Sequence, residues 1–555
     1  MQSLVRNFLP LLTAISFGYI SVSQAEESAD LQEMINNTRE LRALMQSDPY
    51  RPIYHFVAPE GISFPFDPNG AIYWKGKYHL GYLYKKPRSK PVTYPMGNEV
   101  TDHYPWGHAV STDLLHWTNY PDMLEAKEGD LELHIASGGA FVSKDGVPHL
   151  IYHGGGSDYN LLASSTDDDL RHWTKLQEKG ALKSPDGADP FSHDTKFTVW
   201  DPDAWYEEKA DAYYQISGGM TPALFKSRDL SEWEYLGDVI ADEDRKHEVF
   251  EDISCPDFFY LGDGKYMLLF ISHPLGAQYY IGDFYDDKFR PEQHGRMSWP
   301  GGNFFAAEQL QDDNGRNIFW GWIMKPDELK VFLEGKPVES PFGWSGIMSV
   351  PRVASLNEKG NLQITPAEEL QSIRTNGVQE GKIVLPPNHE KTLQTSGRSI
   401  ELKLEIKGGD TSAYGLKVFA SPDGSEETVI RYEPETEELV INFSRSAASG
   451  PGEIAYFDGE EYDKSVPFWD QFAKLYKKTV SEQRAPLKLD KGETLKLNIF
   501  LDRSVIEVFA NDRQVISQIV YPELETSTGV KIFSGDEKVT FKNIRSWKMA
   551  ETNAY

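Results

Sequence analysis

Short runs of alternating apolar and polar residues dominate the chain from about residue 66 onward. "AIYWKGKYHLGYLY", "VPHLIYHG" and "KYMLLFISH" read as strands, with "KG" and "DG" dipeptides at the turns. Between them a short theme returns: "STDLLHW" (111–117), "DDLRHW" (168–173) and "SRDLSEW" (227–233), each containing Asp-Leu-x-x-Trp. Asp113, Asp169 and Asp229 lie 56 and 60 residues apart, and "IGDFYDDKF" (281–289) is a degenerate fourth echo. Units of that length with about four strands each predict propeller blades over residues 48–365, the repeated tryptophan packing one blade. From 395 to 550 the strands lengthen ("SIELKLEIKG", "TVIRYEPETEELVINFS", "LKLNIFLDRSVIEVFAND") and read as a β-sandwich. Residues 366–394 read as a linker. Ahead of the propeller, residues 26–47 place Leu31, Met34, Ile35, Leu41, Leu44 and Met45 at helical spacing and predict a short amphipathic packing strap. The fold class is therefore all-β, a propeller followed by a sandwich.

Composition narrows the function more than the fold. At 555 residues the chain exceeds one ordinary core. A net charge of −29 argues against nucleic acid or an anionic membrane surface as partner and fits a neutral substrate. Residues 1–25 read as an export signal: Arg6, the apolar "FLPLLTAISFGYI", then "SQA" ending at Ala25 and the acidic "EESAD". Its apolar run is shorter than the ~20 residues that span a bilayer. The expected location is periplasmic or secreted, with no membrane attachment after signal cleavage. The single cysteine, Cys255, excludes an internal disulfide and a thiolate cluster, and no histidine spacing suggests a metal, so no cofactor is expected.

In a propeller the first strands of the blades meet around a central channel, so functional residues recur one per blade. "FDPNG" with Asp67 and "WDPDAW" with Asp201 fit, because Asp-Pro ends a strand-like run and presents the acid at a rim. The third candidate is "EVFEDISCPDFF", rich in carboxylates. Inward acids with abundant Trp and Tyr suit glycosidic bond cleavage: one attacks or activates water, another protonates the leaving oxygen, and rings stack on sugar. Asp257, His108 and His153 read as structural, although the two histidines are also candidates for lining the pocket.

Several ordered stretches carry a resemblance. "RPIYHFVAPEGISFPFDPNGAIYWKGKYHLGYLY", "WGHAVSTDLLHW", "SSTDDDLRHW", "SCPDFF", "FFAAEQLQDDNGRNIFWGW", "GIMSVPRVASL" and "FLDRSVIEVFANDRQVISQIVYP" are similar to glycoside hydrolase family 32. That family contains invertases, levanases, inulinases and related fructosyltransferases. The resemblance spans roughly residues 50–548 and implies a five-bladed propeller with a sandwich and retaining hydrolysis of β-fructosides. It implies Asp67 as nucleophile and Asp201 as transition-state stabiliser, with Phe66, Asn69, Leu83, Trp106, Ser137, Trp200 and Ser254 around the carbohydrate substrate. The departures are as informative. Phe66 stands for the family's Asn, Leu83 for its Gln, Ala136-Ser137-Gly138-Gly139 for its "WSGS", Trp200 for its Arg, and Ser254 for its acid/base Glu. Serine is too weak an acid to protonate a leaving oxygen near neutral pH.

A substitute acid is then required. In a regular strand Asp252 shares a face with Ser254, about 6.6 Å away, which favours Asp252; a bulge would instead favour Glu251. The same shift leaves retention or inversion open, since retaining carboxyls sit near ~5.5 Å and inverting ones near ~6.5–9.5 Å. The expected function is an exported hydrolase of β-fructofuranosidic or related furanosidic bonds with a remodelled pocket. The alternative is a catalytically weak carbohydrate-binding protein on the same scaffold; transglycosylation is a third reading, because Phe66 and Leu83 make a drier pocket.

Overall fold

The computed structural model describes residues 31–93, 99–191, 196–240, 252–326, 328, 344–457, 463 and 466–553. The export signal expected over 1–25 and the candidate Glu251 lie outside the described residues. Residues 31–47 are helical, as the spacing predicts, and are described by themselves; Leu31, Met34, Leu41 and Leu44 are exposed. No described helix is long and apolar enough to cross a membrane.

Among the described residues, five antiparallel sheets of four or five strands follow in chain order between Phe66 and Pro366, and a two-stranded sheet (Lys86–Thr93 with Glu99–His103) lies between the second and third strands of the first. The first strands of the five are Phe66–Trp74, His134–Val142, Pro202–Glu207, Ser254–Gly262 and Phe304–Gln311. Each first strand packs against the next, and the fifth packs against the first, so the five close a ring. The Asp-Leu-x-x-Trp theme falls at one topological place, between the third and fourth strands. There Leu114, Leu170 and Leu230 each take a left-handed backbone (φ 66°, 53° and 63°) and bury their side chains. Asp113 holds that turn by accepting from the Leu115 and His116 amides at 3.0 and 2.8 Å. The tryptophans are packing residues, two of them between neighbouring sheets: Trp117 lies 5.9 Å from Trp320 of the fifth sheet, Trp233 donates to the Gly180 carbonyl beside the second sheet, and Trp173 donates to the Leu170 carbonyl of its own turn. The degenerate echo occupies the same place in the fourth sheet, with Asp286 and Asp287 at positive φ.

The stretch expected as a linker, 366–394, is folded instead. Glu368–Ile373 is a short 3-10 helix, and Arg374–Glu380, Ile383–Leu385 and Glu390–Ser396 are sandwich strands. Their alternation is interrupted by Asn, Gly and Pro, which concealed it. Six- and seven-stranded sheets enclose a core of aliphatic residues including Leu402, Leu416, Ile441, Ile499 and Phe541.

Sandwich and propeller are locked by a buried charge network. Asp502 accepts from the Ile53, Tyr54 and His55 amides at 2.9 Å and from His55 Nδ1 at 3.0 Å. Glu507 accepts from His55 Nε2 (3.1 Å), the Val350 amide (2.7 Å), Ser517 Oγ (3.1 Å) and the Arg352 guanidinium. With both ring nitrogens directed at carboxylates, His55 is an imidazolium. Burial alone would lower its pKa, but the hydrogen bonds to Asp502 and Glu507 raise it to about 9.

Candidate active site

The starts of the first strands carry the chemistry. Asp67 is the second residue of its strand, Ser137 lies early in the second, Asp201 immediately precedes the third, and Ser254 opens the fourth. Four of the five strands carry a register shift there, at Phe66/Pro68, Ile135/Gly138, Ser254/Asp257 and Phe305/Ala307. Asp67, Cys255 and Ala306 adopt positive φ of 22°, 45° and 26°, strain that non-glycine residues seldom carry outside functional sites. A bulge re-aims the side chains next to it. This is why Cys255 is not turned away from the site, as a regular strand would have it. Its Sγ lies 3.7 Å from Asp201 Oδ2 and 3.9 Å from Asp67 Oδ2, and its amide donates to Asp201 Oδ2 at 3.1 Å. Burial, then the two carboxylates, push the thiol well above its ordinary pKa, so it stays a neutral, weak donor. No thiolate chemistry follows.

Asp67 and Asp201 thus converge on one residue. Ser137 Oγ donates to Asp67 Oδ2 at 3.3 Å. Desolvation, then repulsion from Asp201, raise Asp67 to about 7; the positive field of His273 and the Ser137 hydroxyl act the other way. Desolvation raises Asp201 to about 6, against the Cys255 amide and His273. An acid half-ionised near neutrality in a buried pocket is suited to nucleophilic or base work.

Asp252 lies beside Ser254, as strand parity has it, but is turned inward. It is wholly buried, and both oxygens are saturated. Oδ1 accepts from Ser272 Oγ (3.1 Å) and the His273 amide (2.9 Å); Oδ2 accepts from Ser254 Oγ (3.0 Å) and His273 Nδ1 (2.6 Å). A fully buried carboxylate whose two oxygens face four donors has no route to a leaving oxygen, so Asp252 itself does not fit the acid role. Trp200 Nε1 completes the chain by donating to Ser254 Oγ at 2.8 Å.

Several residues expected around the substrate are also withdrawn from it. Asn69 is 1% exposed, its amide spent on the Asp67 carbonyl (2.8 Å) and the Gly138 amide (2.9 Å). Leu83 and Trp106 belong to a buried apolar cluster, Trp106 donating to the Ala136 carbonyl at 3.0 Å, and Ser254 is fully buried. These four position neighbours instead of meeting a sugar. Phe66 and Trp200 remain half-buried, and Ser137 touches Asp67. His108 pairs with His79 at 2.9 Å; burial lowers both, to about 3 and about 4. His153 lies 5.3 Å from Trp200, ring to ring, and is likewise lowered by burial to about 4. Asp257 is buried beside Asp203 and Glu308, and burial raises all three, as suits a structural cluster kept protonated.

Aromatic rings form a continuous chain that includes Phe66 and Trp200, which directly precede Asp67 and Asp201, and His273, which holds Asp252: His153, Trp200, Phe191, His273, Phe305, Trp322, Phe66, Tyr104 and His134. Successive centroids are 5.0 to 6.4 Å apart. The sandwich adds to this wall. Phe468 stacks on Phe191 at 4.9 Å, Phe472 lies 6.2 Å from His273, and Tyr476 Oη donates to the His273 carbonyl at 3.3 Å. A cavity of about 270 Å³ is lined by His273 and Phe305 on the propeller and by Phe457, Phe472 and Tyr476 on the sandwich. Sequence reading found neither His273 nor the sandwich aromatics. The signal was slight: a histidine closing the strand run "KYMLLFIS" 21 residues after Asp252, and "PFWDQF" in an irregular stretch. No group of three or more His, Cys, Asp or Glu able to hold a metal occurs among the described residues.

Comparison with known proteins places this geometry in context. Residues 55–366 match the glycosyl hydrolases family 32 N-terminal domain, and residues 369–548 match the family 32 C-terminal domain. The chain is 28% identical over 534 residues to a levanase of Bacillus subtilis, covering 89% of this chain and 70% of the levanase. It is 25% identical to a sucrose-6-phosphate hydrolase of Zymomonas mobilis, covering 92% and 94%. Among solved structures, the fructan 1-exohydrolase IIa of Cichorium intybus superposes with a TM-score of 0.71 at 21% identity, covering 91% of this chain and 98% of that one. The last similarity concerns the fold alone.

Proposed function

The chain belongs to glycosyl hydrolase family 32, and from that premise we propose that it is an exported glycosidase cleaving β-fructofuranosidic or related furanosidic bonds in a fructan or oligosaccharide, on a five-bladed propeller with a remodelled pocket. The observation that carries the reading is the convergence of Asp67 and Asp201 on Cys255 within a wall of aromatic rings. Asp67 attacks the anomeric carbon, and Asp201 holds the ring hydroxyls as positive charge develops there. The similarity to a levanase and to sucrose-6-phosphate hydrolases supports a furanoside as substrate.

The pocket differs from an ordinary fructosidase site in how it grips sugar. Phe66 has no hydrogen bond to offer hydroxyls where the family's Asn would, and Trp200 spends its only donor on Ser254 where the family's Arg would grip them. Buried hydroxyls left unpaired cost about 1–3 kcal/mol each, so free sucrose is the poorer substrate, and one presenting an apolar face to the rings is the better one. With Asp67 raised to about 7, the nucleophile is protonated in acid. kcat/KM is therefore expected to rise about tenfold per pH unit up to about pH 7, the acid limb that Asp67 sets. The substitution of Ser254 for an acid favours the second reading, a carbohydrate-binding protein of little activity.

Assay of the purified protein on sucrose, inulin, levan and aryl β-fructofuranosides decides between them. Turnover of at least one, with that acid limb, is the expected result. Saturable sugar binding without turnover of any would establish the binding protein.

A further inference from the structure

The site holds a histidine–aspartate pair in the place of the missing acid. Ser254, which stands where the family has its glutamate, is hydrogen-bonded to Asp252 Oδ2 at 3.0 Å, and the same oxygen receives His273 Nδ1 at 2.6 Å. Trp200 Nε1, on Ser254 Oγ at 2.8 Å, fixes the other end of the chain. We propose that His273 is the proton donor of this site, giving up the Nε2 proton to the leaving oxygen, and that Asp252 is the positioning residue that holds its ring and supports its charge. The proposal rests on the hydrolase reading above and names the group that reading lacks.

The geometry assigns the roles. Asp252 is sealed, so it acts only through His273; Asp252 takes up His273 Nδ1, and the proton exchanged is assigned to Nε2. The ring also lines a cavity of about 270 Å³ with Phe305 and the sandwich residues Phe472 and Tyr476, which adjoins the site through His273 and is not lined by Asp67 or Asp201. The groups facing it are Asp252 on its own sheet, Asp67 and Asp201 across the site, and Tyr476 on its carbonyl, with Arg296 and Lys325 on the same cavity. Burial disfavours its charge, but Asp252, then Asp201 and Asp67, outweigh that and raise its pKa above the ordinary value.

The step balances without a co-reactant. Asp67 bonds to the anomeric carbon, the electron pair of the breaking C–O bond goes to the leaving oxygen, and that oxygen takes the Nε2 proton. Water then gives a proton back to Nε2 as its oxygen displaces Asp67.

The test compares substrates whose leaving groups need a proton with one whose leaving group does not. In His273→Gln, kcat/KM on the best sugar-leaving substrate of the wild type is expected to fall by roughly 10²–10⁴-fold. On 4-nitrophenyl β-fructofuranoside, whose phenolate leaves unaided, it is expected to fall less than about tenfold. In Asp252→Asn the alkaline limb of kcat/KM moves to lower pH, because the ring loses the carboxylate that raises it. Equal losses on both substrates, or an unmoved alkaline limb in folded Asp252→Asn, overturn the assignment while leaving the hydrolase reading intact. Absence of turnover by the wild type on every substrate overturns the hydrolase reading and this assignment with it.

Discussion

Replacing Asp67 by Asn is expected to lower hydrolysis by roughly 10⁴–10⁶-fold while the protein stays folded. The loss is large because an amide cannot form the glycosyl ester and, among the described residues, neither nearby acid replaces it: Asp201 is held by the Cys255 amide, and Asp252 is sealed behind His273. Folding survives because the carboxylate is not a stabilising group where it stands. Its folded pKa of about 7 lies above the ordinary carboxylate value, so its contribution to stability is present in acid and lost as pH rises through about 7. At pH 8 the wild type bears that penalty and the Asn variant does not, so the variant's denaturation midpoint equals or exceeds the wild type's. Initial rates on the best substrate and a denaturation curve at pH 8 check both halves. Activity within tenfold of wild type would remove Asp67 as nucleophile; a strongly lowered midpoint would contradict the electrostatic account.

The second large effect concerns stability and lies far from the chemistry. Glu507→Gln is expected to destabilise the protein by about 3–5 kcal/mol, because it strands Arg352 as a buried cation and leaves His55 with Asp502 alone. All three side chains are fully buried, and Glu507 accepts from both cations as well as from the Val350 amide and Ser517. Burial pushes Glu507 up, but Arg352 and His55 outweigh it and bring it down to about 2. The pH dependence follows by linkage. The Glu507 contribution is complete above the ordinary glutamate range and is lost as pH falls through about 2. The His55 contribution is complete below its ordinary value of 6.5 and is lost as pH rises through about 9. Chemical denaturation between pH 4 and 10 should therefore show a wild-type decline toward pH 9 that the Gln variant shares only in part, through the remaining Asp502 bond. A change below 1 kcal/mol at pH 6 would mean that the network is not what locks sandwich to propeller.

Much of this was legible from local chemistry. The two-residue alternation, the turn dipeptides and the Asp-Leu-x-x-Trp spacing predict repeated antiparallel sheets followed by longer sandwich strands, because strand periodicity and turn conformation are properties of a few consecutive residues. Asp-Pro at 67 and 201 marked two acids at strand starts for the same reason. The resemblance implied a glutamate where Ser254 stands, which singled out the acid role. What the sequence does not contain is which distant groups meet. The bulges at Asp67 and Cys255 are set by pairing with neighbouring strands, and they turn Cys255 toward the acids. The sealing of Asp252 depends on Ser272 and His273, about 20 residues on, which only strand pairing brings alongside. Phe472 and Tyr476 reach the site from the other domain, about 200 residues further along the chain. Local sequence determined the strands and two of the acids; the tertiary structure decided which groups are buried, paired and raised in pKa, because burial and charge proximity depend on distance in space and not along the chain.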